Sequence, residues 1–260
     1  MHRTTSTIEG VRIDVSRVGT GRPILFLHGP WGVTPDEAFL ESIGAIGAVA
    51  APWHPGFGHS ELPAGLRSVN DLALFYLDFL EAEDLHDVVV IGSSFGGWIA
   101  AEVAVRSVQR IDRMVLISPV GIKVGGRESR DVADVFAMSQ DELISASFHD
   151  TASRLADYSE MSDTELVGVA RSREAYAYFT WRPYMHNPSL RRWLHRACRP
   201  TLVIGGTSDR VLSDGYLNAF AASLPDARLV MVPAAGHYPH IEQTKAVVSL
   251  VRDFIEPGPV

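Results

Sequence analysis

The sequence predicts an α/β protein: a mostly parallel sheet of eight strands flanked by helices, with a helical insertion late in the chain. Three observations predict it. Short runs that are apolar at every position, such as residues 88–91 and 114–117, read as strands buried on both faces. Segments with helical spacing alternate with these runs, at the pitch of βαβ crossovers. From about 122 to 195 the strand runs stop, and charged helical stretches rich in aromatics replace them.

Taken in order, residues 4–18 alternate apolar and polar about Glu9-Gly10, as an antiparallel hairpin with one wet face does. Residues 23–27 form a wholly apolar strand that runs into His28-Gly29-Pro30-Trp31-Gly32. A helix over 36–46 and a buried strand over about 46–51 lead to the loop Pro52 to Ser60, rigid by composition. Over 69–83, Val69, Leu72, Ala73, Tyr76, Leu77 and Leu80 share one helical face. Residues 88–91 pass through Gly92-Ser93-Ser94-Phe95-Gly96-Gly97 into a helix opened by Trp98. The strand at 114–117 precedes the insertion, whose helical stretches are read at 131–148 and 154–178. The sheet resumes at 200–204, followed by a helix at about 214–223, a last strand at 228–232 and a final helix at about 243–255. The expected organisation is a core of residues 1–121 and 196–260 with 122–195 inserted in it. The tail 257–260 is expected to be loose.

At 260 residues and 46% hydrophobic, the chain can bury one large core. Its net charge of −8 argues against nucleic acid and anionic membrane as partners. Cys198 is the only cysteine, so an intrachain disulfide and Cys-pair zinc sites are excluded. The first ten residues lack an apolar signal region and no run reaches the length of a membrane span, so the cytoplasm is the expected compartment. No dinucleotide fingerprint or phosphate loop occurs, and His54 and His59 beside a glycine loop make no convincing metal site. The expectation is therefore no cofactor, no metal and a small-molecule substrate; a homodimer stays open.

The chemistry gathers at three places. Gly92-Ser93-Ser94-Phe95-Gly96 fits G-x-S-x-G, a strand-to-helix turn that holds its central serine out over the strand end. A serine at its free pKa is a poor nucleophile and needs a base, which in turn needs an orienting group. The last two strands each end in a candidate: Asp209 in Gly205-Gly206-Thr207-Ser208-Asp209, and His237 in Pro233-Ala234-Ala235-Gly236-His237. The carboxyl ends of parallel strands are where ligand chemistry sits in open α/β sheets. Ser94, Asp209 and His237 thus converge on one edge, in the order Ser…Asp…His. The roles expected are Ser94 as nucleophile, His237 as proton shuttle and Asp209 as its orienting acid. Two of them have a plainer reading: Ser94 in a glycine-rich βα turn that binds a phosphate or merely packs, Asp209 as a helix cap or Asx-turn. Glu242 and His240 are local rivals; Glu242 is read as capping the final helix and His240 as structural.

Together with Leu27-His28-Gly29, Pro55-Gly56-Phe57-Gly58 and Gly236-His237-Tyr238-Pro239-His240, these motifs make the chain resemble the serine-dependent α/β-hydrolase superfamily over about 4–255. The resemblance implies the α/β-hydrolase fold, with 122–195 as a helical lid. It points to a group spanning esterase-like enzymes, lactonases and carbon–carbon bond hydrolases. It also implies an oxyanion hole of two backbone N–H donors, one from Phe95 and one from the residue after His28-Gly29. That residue is Pro30, which has no N–H. Trp31 through a shifted loop, a side chain or water, or a half-built hole are the alternatives. Trp53 stands where relatives often carry an acidic residue.

Trp31, Trp181, Tyr184 and Tyr238 are the expected substrate-side residues, with Phe95, Phe136 and Tyr178 as further aromatic candidates. Arg182, Arg191 and Arg192 are cations available to a carboxylate, or a solvated face. The main expectation is an ester or related acyl hydrolase acting on an apolar substrate through a Ser94 acyl-enzyme. The alternatives are a carbon–carbon bond hydrolase of a vinylogous diketone acid, a triad-bearing lyase or cofactor-free oxygenase, and a binding protein without turnover.

Overall fold

The computed structural model describes residues 1–126, 128–152 and 158–256. Eight strands form one sheet in the order β1-β2-β4-β3-β5-β6-β7-β8. They are β1 His2–Ile8, β2 Val11–Val18, β3 Pro23–Leu27, β4 Ala48–Pro52, β5 Val88–Ser93, β6 Ile111–Ile117, β7 Thr201–Gly206 and β8 Ala227–Val232. β1 pairs antiparallel with β2, and β2 antiparallel with β4. From β4 to β8 every pairing is parallel. Burial follows the residue pattern: β5 and β7 are buried at every position, whereas β1 alternates and keeps a wet face. The helices are α1 Glu37–Ile43, α2 Val69–Ala82, α3 Phe95–Arg106, α4 Gln140–Ser147, α5 Asp163–Thr180, α6 Leu190–Trp193, α7 Tyr216–Ala222, α8 Pro239–Glu242 and α9 Thr244–Ile255. α2 packs on α3, and α1 on α9.

The strand order locates the site. β3 is flanked by β4 on one side and β5 on the other, so the chain reverses its direction of winding there. A crevice opens at such a reversal, outside the carboxyl ends of the strands. The loop after β3 holds His28 to Gly32, and the turn after β5 holds Ser94.

Between β6 and β7 the described residues add no strand to the sheet. The helical reading of this stretch needs correction. Only Gln140–Ser147 is helical within 131–148. Asp131 holds the preceding segment in an irregular path by accepting from the N–H groups of Val124 and Gly125 and pairing with Lys123. Each long helix here begins at a reciprocal serine–glutamate cap, Ser139 with Glu142 and Ser162 with Glu165. The helix read from 154 thus starts at Asp163, and 153–157 lie outside the described residues, as do 257–260. Two isolated bridges, Gly121 with His186 and Val132 with Leu212, tie the inserted stretch to the segment after β6 and to the loop after β7.

Candidate active site

Ser94 sits between the end of β5 and the start of α3 with φ 51° and ψ −108°. L side chains avoid that backbone region, so surrounding bonds must hold it. The Ser94 N–H donates to the Ile117 carbonyl at 2.8 Å, and the Ser94 carbonyl accepts from the N–H groups of Trp98 and Val120. Two glycines let the turn close. A Cβ on Gly96 would lie 1.9 Å from the Leu27 carbonyl oxygen, and one on Gly92 2.5 Å from the Gly96 oxygen. No larger residue fits at either position.

The loops after β7 and β8 bring the other two candidates to this serine. His237 Nε2 lies 2.9 Å from Ser94 Oγ, and His237 Nδ1 lies 2.8 Å from Asp209 Oδ2. Asp209 Oδ1 accepts from the N–H groups of Val211 and Leu212, which fixes the carboxylate rotamer. One carboxylate oxygen of Asp209 thus closes a local turn while the other meets His237. With Nδ1 as donor to the carboxylate, Nε2 is free to accept the serine hydroxyl. The His237 N–H donates to the Ser147 carbonyl at 2.7 Å, so the end of α4 steadies the histidine loop. Glu242 does not cap the final helix; it accepts from the N–H groups of Gly236, His149 and Asp150. Its carboxylate thus joins the histidine loop to the inserted stretch. His240 turns away from Ser94 and pairs with buried Asp36 at 2.8 Å.

Ser94 and His237 open on a cavity of about 270 Å³, walled by Pro30, Trp31 and Tyr238 on one side and by the inserted stretch on the other. Two of the four expected substrate-side residues are elsewhere. Trp181 is 61% exposed, and it lines a separate hollow together with Tyr184. Tyr184 is engaged by the backbone: its hydroxyl accepts from Val135 N–H and donates to the Ala133 carbonyl. Tyr178 is exposed, whereas Phe136 does face the Ser94 cavity. Arg182, Arg191 and Arg192 are exposed and line none of the Ser94 cavity.

A model of the alpha/beta hydrolase family matches residues 24–250. The chain belongs to this family. The α/β hydrolase is 28% identical to 2-hydroxymuconate semialdehyde hydrolase of Pseudomonas sp. (strain CF600), over 95% of this chain and 91% of that one. It is 24% identical to 2-hydroxy-6-oxo-2,4-heptadienoate hydrolase of Pseudomonas putida, over 95% and 93%. Among solved structures, a meta-cleavage product hydrolase from Pseudomonas fluorescens IP01 superposes with a TM-score of 0.81 at 20% identity, covering 98% of this chain and 97% of that one. An esterase from Thermogutta terrifontis superposes at 0.77 and 23% identity, covering 99% of each. At these identities the structures speak for the fold alone.

Among the cavity residues that escape a reading of the sequence, two stand on one helix. Arg173 and Tyr176, one helical turn apart on α5, both line the cavity. Arg173 stands at the rim, against the rings of Trp31 and Tyr158, and its guanidinium donates to the Tyr158 hydroxyl at 2.9 Å. An outer hollow of about 430 Å³ shares Pro30, Trp31, Tyr158 and Arg173 with the inner cavity. The (i, i+3) spacing was the available signal, but α5 mixes charged and apolar residues on every face. Phe95, as the first residue of α3, has an N–H with no partner inside the helix, while Pro30 lines the cavity without one. Trp53 packs against Gly32 and Gly58 with Arg3 over its ring. Among the described residues no group of three or more His, Cys, Asp or Glu side chains is arranged to hold a metal.

Proposed function

We propose that this hydrolase cleaves a carbon–carbon bond in a vinylogous diketone acid, with Ser94 as nucleophile, His237 as proton shuttle and Asp209 as the acid that orients it. The observation that carries the substrate class is Arg173: a guanidinium at the rim of a cavity otherwise walled largely by apolar and aromatic groups. It suits a small apolar molecule with one carboxylate at its end. The names of two relatives, a semialdehyde hydrolase and an oxo-heptadienoate hydrolase, support the same class.

Carbon is a poor leaving group unless its electron pair is delocalised. In a vinylogous diketone, the fragment beyond the attacked ketone carries a conjugated carbonyl that accepts the pair. Ser94 Oγ adds to the ketone carbon as His237 takes the serine proton. The C–C bond then breaks, its pair passes into the conjugated enolate, and the proton returns from His237. Water, deprotonated by the same imidazole, releases the second acid from Ser94.

The test compares kcat/KM for a ring-opened dienoic diketone acid with that for p-nitrophenyl butyrate. The proposal expects the acid to be the better substrate. Arg173→Met should raise KM for the acid about tenfold, the worth of one rim-exposed charged hydrogen bond, and leave the ester unchanged. A preference for the uncharged ester, with Arg173→Met without effect, makes the protein an apolar esterase instead.

A further inference from the structure

Pro30 removes one backbone donor from the place where negative charge would develop, and a side chain stands beside the gap. Tyr238 is 5% exposed and lines the Ser94 cavity together with Pro30 and Trp31. Its ring stands edge-on to His237, with centroids 4.9 Å apart at 84°. Its Cε1 lies against Gly29, 3.6 Å from where a Cβ would be. The Tyr238 hydroxyl has the side chains of Ser94 and Trp31 as polar neighbours. Trp31 Nε1 is a buried donor with no hydrogen-bond partner among the described residues. Leaving such a donor unpaired is costly, so a buried indole N–H beside the Tyr238 hydroxyl calls for an acceptor.

We propose that the Tyr238 hydroxyl donates the second hydrogen bond to the oxyanion formed on Ser94 attack, with the Trp31 indole N–H donating to the phenol oxygen behind it. The inference rests on Ser94 acting as nucleophile. As the Oγ–C bond forms, the carbonyl π pair moves on to oxygen and the serine proton goes to His237 Nε2. Tyr238 gives a hydrogen bond and keeps its proton. Burial holds the phenol well above its ordinary value, so the group remains a neutral donor. An indole N–H on the phenol oxygen turns the phenol proton outward, toward the substrate oxygen. A preorganised donor of this kind acts chiefly in the transition state.

The experiment uses Tyr238→Phe, Trp31→Phe and Ser94→Ala, with folding checked by circular dichroism and thermal melting. The readouts are kcat and KM on both substrates above, the affinity for phenylboronic acid, which forms a tetrahedral adduct on an active serine, and the affinity for benzoate, which does not. Tyr238→Phe should lower kcat on the order of 10²-fold, with KM within about threefold. It should weaken phenylboronic acid by a similar factor and leave benzoate unchanged. Trp31→Phe should show the same selective loss, about tenfold, and carries the test if Tyr238→Phe does not fold. Wild-type kcat in folded Tyr238→Phe, wild-type boronate affinity in folded Trp31→Phe, or parallel losses of boronate and benzoate would overturn the assignment. An active Ser94→Ala sinks the nucleophile reading and this inference with it. An inactive Ser94→Ala beside a fully active Tyr238→Phe leaves that reading standing and removes only Tyr238.

Discussion

At the scale of single residues, the site is organised by a serine in a backbone conformation that opposes folding. The left-handed φ of Ser94 lifts Oγ to His237, and the strained backbone costs on the order of 1–3 kcal/mol. Glycine adopts that backbone without strain, at an entropic cost of roughly 0.5–1 kcal/mol in the unfolded chain. Ser94→Gly should therefore be more stable than Ser94→Ala by about 1 kcal/mol in urea unfolding, both being inactive. Equal stability, or a less stable glycine variant, would mean the turn is not strained. Asp209 shows the opposite device. Two backbone N–H groups fix one carboxylate oxygen so that the other meets His237 without searching.

At the scale of elements, the loops after β3 and β4 are locked together by buried neutral histidines. The His54 N–H donates to His28 Nε2 at 3.0 Å, and His28 Nδ1 lies 2.6 Å from the Gly29 carbonyl. His54 Nε2 faces the His28 carbonyl, and its Nδ1 meets the Tyr76 hydroxyl. Each ring thus uses one nitrogen as donor and the other as acceptor, which only the neutral form can do. Burial lowers His28 to about 3, against the gain from its Gly29 hydrogen bond. Burial holds His54 well below its ordinary value, against the gain from its hydrogen bond to the His28 backbone. Below about pH 6.5 the unfolded chain takes up protons at both positions and the folded chain does not, so stability falls with pH. Between pH 6.5 and 5 the two should together remove about 3 kcal/mol, read as a shift in the urea midpoint. An unchanged midpoint would show that the loops tolerate charged imidazoles. Since His28 and His54 border Gly29, Pro30 and the Ser94 turn, the same protonation would loosen the oxyanion side of the site.

At the scale of the whole molecule, what the chain spells out is whatever depends on local periodicity. All eight strands lie close to their apolar or alternating runs, because burial on two faces favours unbroken apolar runs and burial on one favours alternation. Ser94, Asp209 and His237 were legible for the same reason, each being fixed by the end of a readable strand. The strand order around β3 is set by crossovers packing over the sheet, which no local pattern encodes. The inserted stretch was the hard part. Its helices start at the caps of Ser139 and Ser162 rather than where charge and aromatics begin. Trp181 and Tyr184 looked like pocket residues by composition alone, yet a turn after α5 carries them to another hollow. Arg173, on a helix mixed on every face, had no such signature and faces the site.

If Ser94 attacks the substrate with His237 and Asp209 behind it, the acyl group it acquires can be trapped. Wild type and Ser94→Ala are mixed with the dienoic diketone acid, quenched in acid within single turnovers, and read by intact mass and by product formation. An acyl adduct on Ser94 is expected in the wild type. None is expected in Ser94→Ala, whose turnover should fall by at least about 10³-fold. Product formed by Ser94→Ala at a rate near wild type would contradict attack by Ser94 and leave His237 as the base of a different reaction.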